Sequence, residues 1–198
     1  MYGQTVELVF DDLMHRYTVG GVRVPSVTTV LGIVSKPGLM FWASNMASDY
    51  WKNVIKPGEA YDEVQLIKYW TEAKKAHNNK KEDAATVGTL THAWVESFIK
   101  GEKPEMPMNP QVKGSVERFL AWVKENKVKF LSAEQPVYSR KHNYCGTADF
   151  FCMINGKLLL GDLKTSNALY PNSMGSQLAA YIIARSEEFP EEKFDGAV

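Results

Sequence analysis

Apolar and polar positions follow different periods along the first half of the chain. Apolar residues alternate from Glu7 to Val24 around Gly20-Gly21, which predicts a hairpin, and Pro25-Ser26 then opens a helical run through Leu31. Longer helical spacing follows in four stretches: Leu39 to Trp51, Asp62 to Ala76, Asp83 to Lys100 and Gln111 to Asn126. We therefore expect a small hairpin followed by helices.

The second half of the chain changes to strand-like spacing. Three strands are predicted before a last helix: Val128 to Ser139, Tyr144 to Ile154, Leu158 to Thr165, and then the helix from Ser173 to Glu188. This order predicts an α/β fold in which helices flank a mixed central β-sheet. A chain of 198 residues suits one domain. We expect an N-terminal hairpin and helical extension over residues 1–82 and a core over residues 83–198.

Asn155-Gly156 gives the sharpest local prediction. A two-residue type I′ turn needs positive φ at both central positions, and Asn-Gly between strand-like runs is the strongest short signal for it. If Ile154 pairs with Lys157, the register places Asp149 directly opposite Asp162.

Two opposed aspartates need a neutralising partner. Carboxylates on neighbouring strands repel each other unless a proton or cation lies between them, and a hard divalent cation removes that repulsion. Alternation also places Lys164 on the face of Asp162. The structural alternatives are that Lys164 neutralises the pair in an ion cluster, or that a bulge shifts the register and separates the carboxylates.

Two helices carry polar residues four positions apart. Gly88, His92 and Glu96 share one helical stripe, with Gly88 allowing close approach, and Gln177 and Tyr181 share another. Taken alone, His92 and Glu96 are more often a surface or hydrogen-bonded pair than metal ligands. The carboxylate hairpin makes a metal role for His92 a better hypothesis.

Other charged positions allow two interpretations each. Glu134, on the strand before the hairpin, is either an additional or second-sphere ligand or an exposed strand carboxylate. Lys+Arg and Asp+Glu balance at 23 each, so a nucleic-acid partner must be argued from local features. The densest basic stretch contains Lys74, Lys75, Lys80 and Lys81, at a predicted helix end and in the loop after it. It is either solvated or in contact with phosphate.

Composition excludes several classes of protein. We see no apolar run long enough to span a bilayer, and no signal or transit pattern at the start, so we expect a cytoplasmic protein without membrane partners. The two cysteines, Cys145 and Cys152, fit neither a disulfide scaffold nor a four-thiolate site. We expect them to be reduced and partly buried.

Taken together, these motifs resemble the PD-(D/E)XK nuclease superfamily, in its RecB-like branch. The residues that carry the resemblance are Gly88-Thr89 with His92 and Glu96, Glu134, Tyr144 to Asp149, Gly161 to Ser166, and Gln177 with Tyr181. Val24 to Leu31, followed by Leu39 to Trp42, is similar to single-domain phage exonucleases and the mitochondrial genome maintenance exonuclease. The resemblance covers Tyr17 to Ala184.

The resemblance implies a restriction-endonuclease-like core and specific residue roles. The implied metal ligands are His92, Asp149, Asp162 and the Leu163 carbonyl. Lys164 is implied as the catalytic lysine acting with the two aspartates, and Gln177 and Tyr181 as helpers near the scissile phosphate. Glu96 and Glu134 are implied as second-sphere groups. Substrate contacts are assigned to Lys74, Lys75, Lys80, Lys81, Thr165 and Ser166.

By the same resemblance, the chain is a Mg²⁺- or Mn²⁺-dependent exonuclease acting on single- or double-stranded DNA ends. It would serve phage or cellular DNA replication, recombination or repair, and a recombination or replication protein is a further expected partner. The imidazole ligand favours Mn²⁺. No iron-sulfur cluster is expected, because the cysteine cluster of some relatives has no counterpart.

Several alternatives remain open. The chain is either such an exonuclease, a structure-specific endonuclease, a non-catalytic nucleic-acid-binding or assembly module of the same fold, or a phosphohydrolase of small esters. The family also usually adds a strand beyond Asp195 to Val198, which leaves the completeness of the sheet open.

Overall fold

The computed structural model describes residues 2–3, 6–11, 13–14, 16–34, 38–166 and 170–198. Within these residues the fold is mixed α/β, with five helices and two sheets. The strands are β1 (Leu8–Asp11), β2 (Arg16–Val19), β3 (Val22–Val24), β4 (Lys129–Ser139), β5 (Tyr144–Ile154), β6 (Lys157–Gly161) and β7 (Gly196–Ala197). The helices are α1 (Val27–Leu31), α2 (Gly38–Val54), α3 (Glu63–Ile99), α4 (Pro110–Glu125) and α5 (Pro171–Glu188).

The chain forms two compact units. One, called here the sheet unit, contains the residues up to Ile33 together with Gly88–Val198. The other, the helical unit, is Val34–Val87. The expected boundary between residues 82 and 83 falls inside α3, and the N-terminal strands belong to the unit that contains the central sheet.

The predicted N-terminal hairpin is a three-stranded antiparallel sheet. Strands β2 and β3 form the predicted hairpin, with Gly20 and Gly21 at φ 54° and 79° in its turn, and β1 adds a third strand by pairing with β2. Ser26 then accepts a hydrogen bond from the Thr29 N–H and begins α1, as the Pro25-Ser26 signal predicts.

The central sheet has the order β4-β5-β6-β7. Its β5–β6 hairpin has the predicted register, with Ile154 opposite Lys157, and Asn155 and Gly156 have φ 52° and 79°. Strand β7 runs parallel to β6 and makes the sheet mixed, as expected. The sequence left open whether the sheet was complete near Asp195 to Val198. This segment contributes the fourth strand of the central sheet.

The hairpin ladder ends one residue before the predicted aspartate pair. Its last pair is Phe150 opposite Gly161, whereas strand spacing predicted a strand through Thr165. The Asp162 N–H donates to the Val198 carbonyl at 3.0 Å, on the side where Leu158 and Leu160 also bond to the C-terminal segment. The pairing thus stops one step short of Asp149 and Asp162, in the predicted register, because the Leu163 N–H, which would continue the ladder to β5, donates to the Asp149 carboxylate at 2.6 Å.

Helices cover both faces of the central sheet. On one face, Val27 of α1 and Tyr181 of α5 pack with Phe151 of β5. On the other face, Val95 of α3 and Phe119 of α4 pack with the neighbouring residues of the same strand. Strand residues that are consecutive in sequence face opposite layers, so this arrangement agrees with the predicted α/β class.

The two helices predicted over Asp62 to Ala76 and Asp83 to Lys100 are one continuous helix, α3. No proline or glycine lies between Glu63 and Val87. The Asn78-Asn79 pair lowers helix propensity by only about 0.7 kcal/mol per residue, which is too little to end a long helix. The basic stretch is therefore helical throughout, and the predicted loop does not exist.

Cys145 and Cys152 are free and fully buried, rather than partly buried as expected. Burial raises the pKa of the Cys145 thiol to about 12 and that of Cys152 to about 11. Both thiols therefore stay protonated at neutral pH. None of the described helices combines the length and hydrophobicity that crossing a bilayer requires.

Candidate active site

Two carboxylates meet across β4 and β5. Glu134 lies between two ladder pairs, Ala133 with Phe150 and Gln135 with Ala148, and so stands opposite Asp149. Its φ is 47°, in the left-handed region that costs a non-glycine residue about 1–3 kcal/mol. Such strain persists only where the surroundings impose it, and it often marks functional sites.

His92 reaches this position from α3. Its Nε2 lies 3.0 Å from the Leu163 carbonyl, and its Nδ1 lies 3.6 Å from Asp149 Oδ2. A carbonyl oxygen only accepts hydrogen bonds, so Nε2 carries the hydrogen and Nδ1 is the ring nitrogen nearest the carboxylates. The same Asp149 oxygen accepts the Leu163 N–H at 2.6 Å, which holds the segment after β6 against β5.

His92, Glu134 and Asp149 together form a possible metal-binding group. Each offers one ligand atom, and these atoms all lie within 4.8 Å of one another. Two carboxylates and one imidazole are a donor set that suits Mg²⁺ less well than Mn²⁺, because nitrogen ligands favour transition metals. The hydrogen bond from Nε2 to a backbone carbonyl is the contact that usually orients a metal-binding histidine.

The electrostatics of the two carboxylates favour a cation. Burial, together with the charges of Asp149 and Glu96, raises the pKa of Glu134 to about 7 against the opposing charge of Lys100. Burial also raises the pKa of Asp149, and Asp162 adds to that rise while His92, the Leu163 N–H and Lys164 oppose it. Carboxylates that repel each other in a partly buried place bind a proton or a metal ion more strongly than isolated ones.

Asp162 and Lys164 form a second cluster beside the first. Lys164 Nζ makes an ion pair with Asp162 Oδ2, while Gln177 Nε2 donates to Asp162 Oδ1 at 3.1 Å. Gln177 Nε2 also contacts the Tyr181 hydroxyl at 3.2 Å. The predicted stripe on α5 therefore meets the predicted Asp-x-Lys segment directly.

Tyr181 is the most buried member of this second cluster. Burial raises the pKa of its hydroxyl, and the charge of Asp162 adds to the rise. Gly146 leaves room for its ring, because a Cβ at that position would lie 2.5 Å from Tyr181 Cε1. A glycine on β5 thus allows α5 to approach the sheet, which the sequence did not indicate.

The remaining predicted residues have other surroundings. Glu96 Oε1 accepts a hydrogen bond from Lys100 Nζ at 2.5 Å and affects Glu134 only through its charge. Thr165 Oγ1 lies 3.4 Å from where a Gly88 Cβ would be, an ordinary van der Waals distance, and Ser166 is exposed. The four lysines are exposed and belong to the helical unit, whereas all the other candidates belong to the sheet unit: Lys74, Lys75, Lys80 and Lys81.

The group with metal-ligand spacing differs from the ligand set that the resemblance implied. The structure brings together His92, Asp149 and the backbone of Leu163, with the Leu163 carbonyl bound to His92 Nε2. Among the described residues, however, the group with metal-ligand spacing contains Glu134 rather than Asp162, whose carboxylate contacts Lys164 and Gln177. The sequence offered one signal for Glu134, a carboxylate within a strand, and that signal could not distinguish a ligand from an exposed residue.

Comparison of the sequence with known protein families finds no match, and comparison with curated proteins finds no significant match either.

Proposed function

We propose that this chain is a divalent-metal-dependent deoxyribonuclease, most simply an exonuclease acting at DNA ends, built on a restriction-endonuclease-like core. The observation that carries the proposal is the group of His92, Glu134 and Asp149, whose ligand atoms lie within 4.8 Å of one another. An ion pair containing a lysine, Lys164 with Asp162, adjoins that group. Metal ligands beside a partly exposed lysine suit phosphodiester hydrolysis.

A divalent cation bound there would supply Lewis-acid chemistry, by polarising a phosphoryl oxygen and lowering the pKa of water. The residues of the chain hold the reacting groups in place. Asp149 fixes the segment after β6 through the Leu163 N–H, and Leu163 in turn orients His92 through its carbonyl. Loss of any of these contacts would displace the others.

Lys164 is the group that would contact the phosphate. Its side chain is 32% exposed, whereas that of Asp162 is 5% exposed, so the lysine alone of this pair is open to a substrate. Asp162, held by Gln177, positions Lys164 and is a positioning residue in this proposal. An ammonium placed at the scissile phosphate stabilises the negative charge that develops in the transition state.

The test is cleavage of end-labelled single- and double-stranded DNA with Mg²⁺, Mn²⁺ or EDTA. Wild-type protein is compared with Lys164→Met and with Lys157→Met, a matched control for an exposed lysine at the other end of the hairpin. We expect metal-dependent shortening from one end, a loss of at least about a hundredfold in Lys164→Met, and no change in the control.

Other outcomes identify other functions. Internal cuts would indicate an endonuclease. Salt-dependent DNA binding without cleavage would indicate a binding or assembly module, and hydrolysis of small phosphate esters without such binding a phosphohydrolase. Cleavage that persists at the wild-type rate in Lys164→Met, or in EDTA, would refute the proposed site.

A further inference from the structure

A cavity of about 260 Å³ opens beside the candidate active site. It shares Asp162, Leu163 and Lys164 with that site. Its other walls come mainly from α4, which no part of the proposed function uses. The cavity therefore places additional side chains within reach of a substrate that is bound at the site.

One wall of the cavity is cationic and rich in hydrogen-bond donors. Arg118 is exposed and donates one hydrogen bond, from Nη2 to Ser115 Oγ at 3.2 Å. Within the described part of the chain it forms no ion pair with a carboxylate. A guanidinium has five N–H donors, so most of its capacity is available to an anion. The Thr165 hydroxyl also lines the cavity, as does Lys164, which is paired with Asp162.

The same face of α4 also brings an aromatic ring to the cavity, because Trp122 lies four residues after Arg118. Trp122 is half-buried, and its ring lies 6.1 Å from Phe150 and 6.0 Å from Phe119, measured between centroids. These contacts fix the indole at the cavity surface. An immobilised aromatic ring beside a cationic wall is the combination that binds nucleotides, because bases stack on aromatic faces and phosphates bind to arginine.

The size of the cavity limits its occupant. Pockets for drug-sized molecules usually measure about 300–1,000 Å³, so this one admits a single small unit and excludes a duplex. Its lining requires that unit to carry both an anionic and a planar apolar part. A nucleoside monophosphate meets both requirements.

We propose that this cavity binds the terminal nucleotide of a DNA strand, with its phosphate on Arg118 and Thr165 and its base against Trp122. The assignment to DNA rests on the proposed function. Nucleotide binding itself needs neither a metal ion nor turnover. It can therefore be measured separately from nuclease activity.

The experiment is calorimetric titration in EDTA with thymidine 5′-monophosphate, with thymidine, and with a short single-stranded oligonucleotide carrying a terminal phosphate. The variants are Arg118→Gln and, as a matched control, Lys113→Gln, which removes an equal charge from the same helix outside the cavity. We expect wild-type protein to prefer the monophosphate to thymidine. Arg118→Gln should weaken binding of the monophosphate and the oligonucleotide by about tenfold or more, and Lys113→Gln by much less.

Each contrary result overturns the proposal in a defined way. No binding of the monophosphate at millimolar concentrations, or equal losses in both variants, rejects the cavity as a nucleotide site. Loss for the monophosphate alone assigns it to free nucleotides and rejects the strand terminus. Arg118→Lys, which keeps the charge, replaces Arg118→Gln if circular dichroism shows that the latter is unfolded. A DNA cleavage assay on the same samples shows whether the proposed nuclease function fails independently.

Discussion

The two ends of the β5–β6 hairpin use the same unusual backbone conformation in different ways. At the turn, Asn155 and Gly156 have φ 52° and 79°, in residue types that tolerate the left-handed region. At the other end, Glu134 of the neighbouring strand has φ 47° opposite Asp149, in a residue type that does not. The strands are regularly paired up to the turn, whereas at the other, polar end carboxylates face each other and the ladder stops.

This difference separates a feature that specifies the fold from a feature that the fold imposes. Asn-Gly adopts its conformation at little cost and sets the register of the strands. Glu134 gains nothing locally from its conformation, so packing and pairing around it must hold it there. The position of a strained carboxylate beside two predicted ligands supports a role in binding rather than in folding.

The largest expected effect is a loss of DNA cleavage when a carboxylate at the polar end of the hairpin is replaced. Glu134→Gln should reduce DNA cleavage by at least about a hundredfold, because it removes a charged ligand and leaves the shape unchanged. Glu96→Gln is the control, since Glu96 pairs with Lys100 and affects Glu134 only by its charge. Equal losses in the two variants would show that Glu134 acts only through the local field.

Gly161 marks the boundary between the two ends, because its pair with Phe150 is the last in the ladder. A Cβ at Gly161 would overlap the Phe150 ring, so Gly161→Ala should lower the free energy of unfolding by about 1–3 kcal/mol. Gly175→Ala, in α5 with no heavy atom within 4 Å of its Cβ position, should raise it by about 0.5–1 kcal/mol. Urea denaturation of both measures the contrast, and an unchanged Gly161→Ala would mean that the ring moves freely.

A smaller effect is expected on the free energy of unfolding when the strained backbone at Glu134 is relaxed. In EDTA, Glu134→Gly should be more stable than Glu134→Ala by about 1 kcal/mol, the reverse of the usual order in strands, because only glycine relaxes at positive φ. Gly156→Ala should be less stable than wild type by a similar amount. If Glu134→Ala is as stable as Glu134→Gly, the left-handed backbone at Glu134 is not strained.

The sequence predicts those parts of the fold that local rules decide. Asn155-Gly156 determines the hairpin register, Ser26 begins α1, and alternation gives β4 and β5 to within one residue. It fails at the ends of two elements. The β5–β6 ladder stops early because the Leu163 N–H bonds to the Asp149 side chain, and the two halves of α3 join because nothing interrupts them.

Only part of the candidate site could be predicted from the sequence, because only part of it follows from local rules. His92, Asp149 and Lys164 follow from helical and strand spacing, and the structure places all three in or beside the two clusters. For Glu134 the sequence left two interpretations open, a ligand or an exposed carboxylate, because strand spacing alone does not predict a residue with positive φ. Arg118 carries no sequence signal either, since its position relative to Lys164 depends on how α4 packs on the sheet.

Binding of Mn²⁺, followed by electron paramagnetic resonance of the free ion, tests the central claim most directly. It compares the ligand set His92, Glu134 and Asp149 with the set in which Asp162 replaces Glu134. We predict that wild-type protein binds the ion, that Glu134→Gln weakens the affinity by at least about tenfold, and that Asp162→Asn changes it far less. The opposite order, with Asp162→Asn abolishing binding and Glu134→Gln retaining it, would contradict the account and would identify Asp162 as a metal ligand.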